Sequence, residues 1–231
     1  MKHNGGSVLL AAPVLVVAMS WASRCSAEIV ADSVRDFSGT QGRNGWTYGY
    51  WDESGDADGN YDQRRDFRRF ASFGIDPINR LAGHDRFTTG DLWYLEDGRF
   101  YTSLWAEGGH PHGALDLGTY EKANQWTVRR WVSTVSGRVE IRGHAGKVMP
   151  WGENWSGSVR FLVVVDGNRV LEAEADDGGR DYSVSASVNV GTPVDFLIGP
   201  GSAIGVSRFT AILEKYDVAS NEGSVKPPND T

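Results

Sequence analysis

Alternation of apolar and polar residues is clearest in the C-terminal half of the chain. Over residues 182–190 a tyrosine, three valines and an alanine alternate with serines and an asparagine, a period of two that predicts a half-buried β-strand. Val159–Val165 is apolar on both faces, which predicts a central strand covered on both sides. Asp166-Gly167-Asn168 then predicts a tight hairpin, because these residues tolerate positive φ, with a returning strand over 169–175.

Weaker patterns extend the β interpretation to the rest of the chain. Strands are predicted over 137–143, 194–198 and 209–213, over 46–50, and over 92–95 and 100–105 joined by a hairpin at residues 96–98. Phe67, Phe70 and Phe73 are spaced by three and predict one helical turn, with the arginine pairs 64–65 and 68–69 on its solvated side. We therefore expect an all-β protein: a single antiparallel β-sandwich, jelly-roll-like, with about ten strands and little helix.

The N-terminus has the pattern of a secretory signal peptide over residues 1–27. Lys2 precedes an apolar run at residues 8–19, and small residues follow at Cys25 and Ala27, as at a cleavage site. The alternative is a membrane anchor, but a run of about 12 residues is shorter than the ~20 that span a bilayer. The sequence predicts a secreted protein, extracellular or periplasmic, with a β-sandwich domain over 28–218, a disordered polar tail over 219–231, and no transmembrane segment after cleavage.

Composition excludes some classes of function. The 231 residues carry a net charge of −7, and losing Lys2 and Arg24 with the leader makes the chain more acidic. This excludes a basic nucleic-acid binder. Aromatic residues make up 11% of the chain, which excludes a disordered one. The only cysteine lies in the predicted leader, so the exported domain has no disulfide. Exported domains without disulfides are more typical of bacteria than of eukaryotic extracellular proteins.

Aromatic residues are the first candidates for ligand binding. Exposed tryptophan and tyrosine rings offer flat apolar surfaces that match the C–H faces of sugars. The alternative is that the rings fill a sandwich core, and for Trp46, Trp126 and Trp131 it is the stronger one. The candidates are one cluster along the strand over 46–50 and one pair in the Gly- and Asn-rich loop 150–157: Trp46, Tyr48, Tyr50 and Trp51, with Trp151 and Trp155.

An acidic stretch suggests a metal site. Asp56, Asp58, Asn60 and Asp62 place oxygen ligands at alternate positions, which suits Ca²⁺. The stretch is not an EF-hand, since Tyr61 stands where that loop needs glycine. The alternative is a solvated acidic turn. No cofactor is expected, and calcium is the one possible ion.

His110-Pro111-His112 and Arg129 are further candidates. Two histidines on one strand face begin a metal site in cupin-type sandwiches, with Asp116 close in sequence, although Pro111 disfavours a regular ladder. The alternative for His110 is a structural role or a hydrogen bond at the mouth of a ligand cleft. Arg129 can bind a carboxylate bidentately, or form a surface ion pair. No Gly-x-Ser-x-Gly elbow is present.

A set of short motifs lies within about residues 32–214: 37–42 (FSGTQG), 44–50 (NGWTYGY), 110–111 (HP), 128–131 (VRRW), 137–141 (GRVEI) and 194–196 (VDF). In these motifs the chain resembles a loosely defined group of secreted bacterial β-sandwich proteins. The group is similar to the non-catalytic carbohydrate-binding jelly rolls of polysaccharide enzymes and has no established reaction. Where relatives have an acidic, glycine-rich loop after the last motif, this chain has residues 199–204 (GPGSAI), so an ion bound there in relatives is not expected here.

Two classes of function follow. The first is a secreted non-catalytic module that binds a polysaccharide or cell-surface glycan. The second is a small glycan-active or metal-dependent, cupin-like enzyme on the same scaffold. A third hypothesis is a structural surface protein that binds no small ligand.

Overall fold

The computed structural model describes residues 27–75, 91–113, 122–148, 157–202 and 205–216. Residues 1–26 of the predicted leader, the predicted tail, Asp116 and the two loop tryptophans Trp151 and Trp155 lie outside these residues. No helix in the described ranges is long and apolar enough to cross a membrane.

The described residues form an all-β fold with one 3₁₀ turn at Arg43–Gly45. The strands, in chain order, are β1 (Ala27–Asp32), β2 (Trp46–Asp52), β3 (Arg68–Arg69), β4 (Ser72–Gly74), β5 (Leu92–Tyr94), β6 (Ser103–Trp105), β7 (Gly108–His110), β8 (Gln125–Val132), β9 (Gly137–Lys147), β10 (Val159–Val165), β11 (Asn168–Ala175), β12 (Arg180–Val188), β13 (Pro193–Pro200) and β14 (Ser207–Tyr216).

Two antiparallel sheets face each other. The eight-stranded sheet has the order β12-β9-β14-β7-β6-β5-β4, with β1 also paired to β14. The six-stranded sheet has the order β11-β10-β13-β8-β2-β3. The predicted antiparallel β-sandwich is confirmed. The strand number is higher than the ten expected because several strands have only two or three residues, too short to show a period of two.

The core lies between the two sheets, where alternate residues of each strand meet. Its largest members include Trp46 and Trp131, which pair across β2 and β8, and Phe196, whose ring lies 5.9 Å from that of Trp46. The predicted half-buried strand over 182–190 is β12, with Tyr182 and Val188 in this core.

The outer face of the six-stranded sheet carries a second, smaller apolar cluster. Leu162 and Val164 of β10 pack there with Trp126 and Leu197, and Tyr61 and Phe67 cover them. The prediction that β10 is covered on both faces is therefore confirmed.

The segment at residues 67–73 is not helical. Phe70 follows the two-residue strand β3, and Phe73 lies in β4. The predicted helical turn is wrong because the backbone amides of this segment bond to neighbouring strands: the Phe70 N–H donates to the carbonyl of Tyr48. The arginine pairs are nevertheless exposed, as expected.

The hairpin between β10 and β11 has the predicted turn. Asp166 has φ 47° and Gly167 has φ 78°, the two positive values that a type I′ turn requires.

Candidate functional site

The aromatic candidates on β2 are mostly inside the protein. Trp46 and Tyr48 have no exposed surface, and Trp51 is 2% exposed. Tyr50 is half-buried and stacks on Phe70 with a centroid distance of 5.5 Å. The expectation that this cluster is a sugar platform is corrected for the first three rings. The reason is that β2 lies between β8 and β3, with the main core on one face and the second cluster on the other.

Arg129 is buried and spans the space between the sheets. Its guanidinium donates to the carbonyl oxygens of Ala106 (2.9 Å), Trp105 (3.1 Å) and Gly108 (3.2 Å), all at the turn between β6 and β7. Burial lowers its pKa to about 10. The expectation that Arg129 binds a ligand carboxylate, or forms a surface ion pair, is corrected: it binds backbone carbonyls of the opposite sheet.

The two histidines of the His-Pro-His motif are also internal. His110 is 7% exposed and His112 has no exposed surface. Their rings lie 5.1 and 6.4 Å from the ring of Tyr101, and the Tyr101 N–H donates to His112 Nδ1. Among the described residues, no group of three or more His, Cys, Asp or Glu side chains could hold a metal ion. Binding by His110 at a cleft mouth is not supported by this burial.

The carboxylates of the acidic turn already accept hydrogen bonds from the protein. Asp56 accepts from Trp51 Nε1 at 3.2 Å, and Asp58 accepts from the Asn60 N–H and from Arg65. Asp62 accepts from the N–H groups of residues 64 and 65. These hydrogen bonds lower the pKa values of Asp58 and Asp62. Calcium binding at Asp56, Asp58, Asn60 and Asp62 stays a prediction.

The segment after the acidic turn is anchored to the six-stranded sheet by an ionic network. Arg130 of β8 makes two hydrogen bonds of 2.7 Å to Asp195 of β13. The Tyr61 hydroxyl donates to the same carboxylate at 2.7 Å, and Gln63 Nε2 donates to the carbonyl of Val164. Burial, with the Asp195 carboxylate second, raises the pKa of Tyr61 well above its usual value.

A cavity of about 520 Å³ lies beside this network and is lined by Tyr61, Arg130 and exposed residues of the turn. Its charged groups largely pair with one another, as Arg65 does with Asp58 at 3.0 Å.

A wider groove, of about 750 Å³, lies on the outer face of the eight-stranded sheet. Its polar side chains come from three adjacent strands and from the end of β1. His144 Nδ1 lies 2.8 Å from an oxygen of Asp181, and Arg142 bonds to Glu214 at 2.5 Å just beyond the lining residues. The lining residues include Asp32, Arg142, His144, Asp181, Ser183 and Thr210.

Close strand packing on the inner face of the sheet lies directly behind this groove, since Gly143 pairs with the core residues Tyr182 and Ala211. A Cβ atom at Gly143 would lie 1.9 Å from the Thr210 carbonyl oxygen and 2.7 Å from the Tyr182 hydroxyl. Glycine is therefore required here for Tyr182 to lie across β9 and donate to the Thr210 carbonyl.

The sequence predictions do not include this groove. Its signal in the sequence is the set of polar residues at alternate positions of β9, β12 and β14, but a period of two within each strand does not show that these three strands are neighbours. The arrangement offers carboxylate acceptors, a guanidinium, an imidazole and hydroxyls on one rigid surface, which is the chemistry of a polar ligand site.

No family model matches the chain, and no curated protein matches it. Several solved structures are similar. One is a family 35 carbohydrate binding module from Clostridium thermocellum, with 12% identity, 53% of this chain and 85% of that chain covered, and a TM-score of 0.31. Another is a family 35 module from an environmental isolate, with 13% identity, coverages of 62% and 85%, and a TM-score of 0.33.

A third is the C-terminal CBM6 of a marine laminarinase from Zobellia galactanivorans, with 13% identity, coverages of 46% and 86%, and a TM-score of 0.27. The β-sandwich assignment itself rests on the two sheets described above.

Proposed function

We propose that the protein is a secreted, non-catalytic module that binds a polysaccharide or cell-surface glycan in the groove on the outer face of the eight-stranded sheet. The observation that carries the proposal is the convergence of Asp181, His144, Arg142, Ser183 and Thr210 in one open groove.

The groove chemistry matches sugar hydroxyls, each of which donates one hydrogen bond and accepts others. The Asp181 side chain is 92% exposed, so its carboxylate can accept from a ligand at small desolvation cost. Side chains on regular strands are held in fixed positions, which lowers the entropy lost on binding. The sequence adds the predicted loop rings Trp151 and Trp155, which suit stacking on sugars.

The test measures retention of the protein on a panel of soluble and insoluble polysaccharides, together with its melting temperature. Asp181→Ala and His144→Ala remove the groove's most exposed acceptor and the imidazole beside it. We expect at least about a tenfold loss of affinity with little change in melting temperature, because Asp181 is on the surface.

Glu96→Ala is the matched control, because Glu96 is an exposed acid in the turn between β5 and β6. Glu96→Ala removes one negative charge, as Asp181→Ala does, but several strands away from the groove. It should leave retention unchanged. Trp151→Ala and Trp155→Ala test the loop rings in the same assay. No retention on any glycan contradicts the proposed function, and retention that survives both groove variants contradicts the groove as its site.

A further inference from the structure

The edge strand β12 differs from the other exposed edges of the sandwich. Strand edges carry unpaired N–H and C=O groups that can bind another strand, and proteins block them with charges, bulges or very short strands. Among the described strands, β3 has two residues, both arginine, and β4 has three.

The remaining edges are also blocked. β11 has a bulge opposite Val163 and Val164 and carries Arg169, Glu172 and Glu174. β1 has a bulge between Ile29 and Ala31.

From Tyr182 onward, β12 has none of these features. Its pairing with β9 runs without a register shift from Arg180 to Val188. After Asp181 the strand contains no charged residue and no proline, and residues 189–194 add no charge. It pairs with β9 alone in the part of the chain that the structure describes.

The sequence of β12 is complementary to itself in the antiparallel direction. In a pair centred on Ser185, the outward residues Ser183 and Ser187 would face each other, and Ser185 would face its own copy. On the inner face Val184 would meet Ala186, and Tyr182 would meet Val188, so each larger side chain meets a smaller one. The hydroxyls of Ser183 and Ser185 already donate to Glu140 within each copy, so the cross-strand serine hydrogen bond is the one from Ser187 to Ser183 of the other copy. No like charges would be opposed within the strand.

The inner side chains along this edge are incompletely covered. Val184 and Ala186 are only partly buried, and so are Leu171 and Ala173 of the neighbouring edge strand β11. A second copy at this edge would cover part of that apolar surface and satisfy the free backbone groups of β12.

We propose that β12 is a homodimer interface, in which two copies of this chain join their eight-stranded sheets by antiparallel β12–β12 pairing centred on Ser185. The contact is isologous and closes as a two-fold dimer. Glu140, which accepts hydrogen bonds from Ser183 and Ser185, does not oppose it. The two Glu140 residues would be three strand spacings apart, about 14 Å, which is beyond the Debye length at physiological salt.

The pairing would also bring two glycan grooves to one surface. Residues directly opposite in an antiparallel pair point to the same face, so both outer faces would lie on one side of the joined sheet. Two linked grooves bind a repeating polymer more tightly than either groove alone. The dimer itself rests on β12 and does not depend on the proposed glycan function.

The test is sedimentation velocity over a concentration series, on the protein expressed from its full sequence. We expect a reversible monomer–dimer equilibrium. Ser185→Lys would place two ammonium groups opposite each other across the two-fold axis and should weaken the dimer about tenfold or more. Within each copy the lysine would face Glu140, so the fold should be kept, and the melting temperature checks this.

Charge reversal provides the decisive control. Ser185→Glu alone should also be monomeric, and its melting temperature is measured too, because this glutamate faces Glu140 within its own copy. An equal mixture of the lysine and glutamate variants should dimerise again. Thr134→Lys, which adds the same charge in the exposed turn between β8 and β9, should dimerise like the unmodified protein. A protein that stays monomeric at every concentration, or a dimer that Ser185→Lys leaves intact, overturns the proposal.

Discussion

Arg129 shows how a single residue can join the two sheets. Among the residues that the structure describes, its guanidinium has no carboxylate partner within hydrogen-bond distance and instead binds carbonyl oxygens of Trp105, Ala106 and Gly108. The five donors of a guanidinium are spread over a rigid planar fork and reach carbonyls on both sides of the turn, whereas the three donors of a lysine ammonium all lie on one nitrogen.

Substituting Arg129→Lys should therefore destabilise the protein. The change keeps the charge but loses most of the hydrogen bonds to a buried cation, and we expect a loss of at least about 1.5–3 kcal/mol in the free energy of unfolding, the range for one hydrogen bond to a charged group. Arg69→Lys, at an exposed arginine on β3, should change it by less than about 0.5 kcal/mol. Urea denaturation measures both. If Arg129→Lys unfolded like the control, the inter-sheet role would be disproved.

The exposure of individual residues could be predicted only in part. The alternation of Trp46, Tyr48 and Tyr50 correctly predicted a strand. It could not show that both faces of this strand are covered, because the partner of Trp51 is Tyr61, which comes from a loop. For the same reason, the sequence could not show which of Arg129 and Arg130 is buried. As neighbours in one strand they point to opposite faces of the sheet, but only the arrangement of the two sheets shows which face is internal.

At the scale of elements, the segment 53–67 covers the outer face of the six-stranded sheet. The acidic residues that suggested a calcium site stand beside Tyr61, Gln63 and Phe67, which dock on β8, β10 and β13. Trp126 of that face also bonds to Glu53 at 3.1 Å. A Cβ atom at Gly199 would lie 2.1 Å from the Trp126 ring. Only glycine at this position of β13 therefore leaves room for the ring.

Weakening the Tyr61 anchor should loosen this segment. Tyr61→Phe removes the 2.7 Å hydrogen bond to Asp195 but leaves the Arg130–Asp195 pair, and we expect a loss of about 1–2 kcal/mol. The exposed arginines 64, 65, 68 and 69 make the segment a substrate for trypsin. Cleavage there should be faster in Tyr61→Phe than in the unmodified protein under native conditions.

Tyr216→Phe is the control, since Tyr216 lies at the exposed end of β14. Equal cleavage rates in Tyr61→Phe and Tyr216→Phe would show that the hydroxyl does not anchor the segment.

At the scale of the whole molecule, local alternation determined the fold class, because every long strand has one face in the main core. The hairpin of the short strands β5 and β6 was predicted correctly. Strand order and the short strands β3, β4 and β7 could not be predicted, since they depend on pairings between distant residues, such as β2 with β8 and β12 with β9. The groove shares this origin: its residues become neighbours only when β9, β12 and β14 are placed side by side.

Buried phenols also give the whole molecule a predicted response to alkali. Burial raises the pKa of Tyr48 to about 12 and raises those of Tyr61 and Tyr182 well above the usual value. An unfolded tyrosine titrates near pH 10. Above that pH the unfolded chain releases protons that the folded chain retains, so stability is complete below about pH 10 and falls as the pH rises further.

The slope should reach about 1.4 kcal/mol per pH unit for each of the three tyrosines. Arg129 contributes a slope of the opposite sign, because its pKa is lowered in the fold. The contributions of the three tyrosines exceed this single contribution, so the free energy of unfolding still falls with pH. Urea denaturation from about pH 9 to about pH 11.5 measures the slope. Tyr48→Phe removes one titrating group and should make the decline shallower by the contribution of one proton. A free energy of unfolding that stays constant over this range would contradict the burial of these phenols, of which Tyr48 and Tyr182 lie in the core between the two sheets and Tyr61 in the cluster on the outer face.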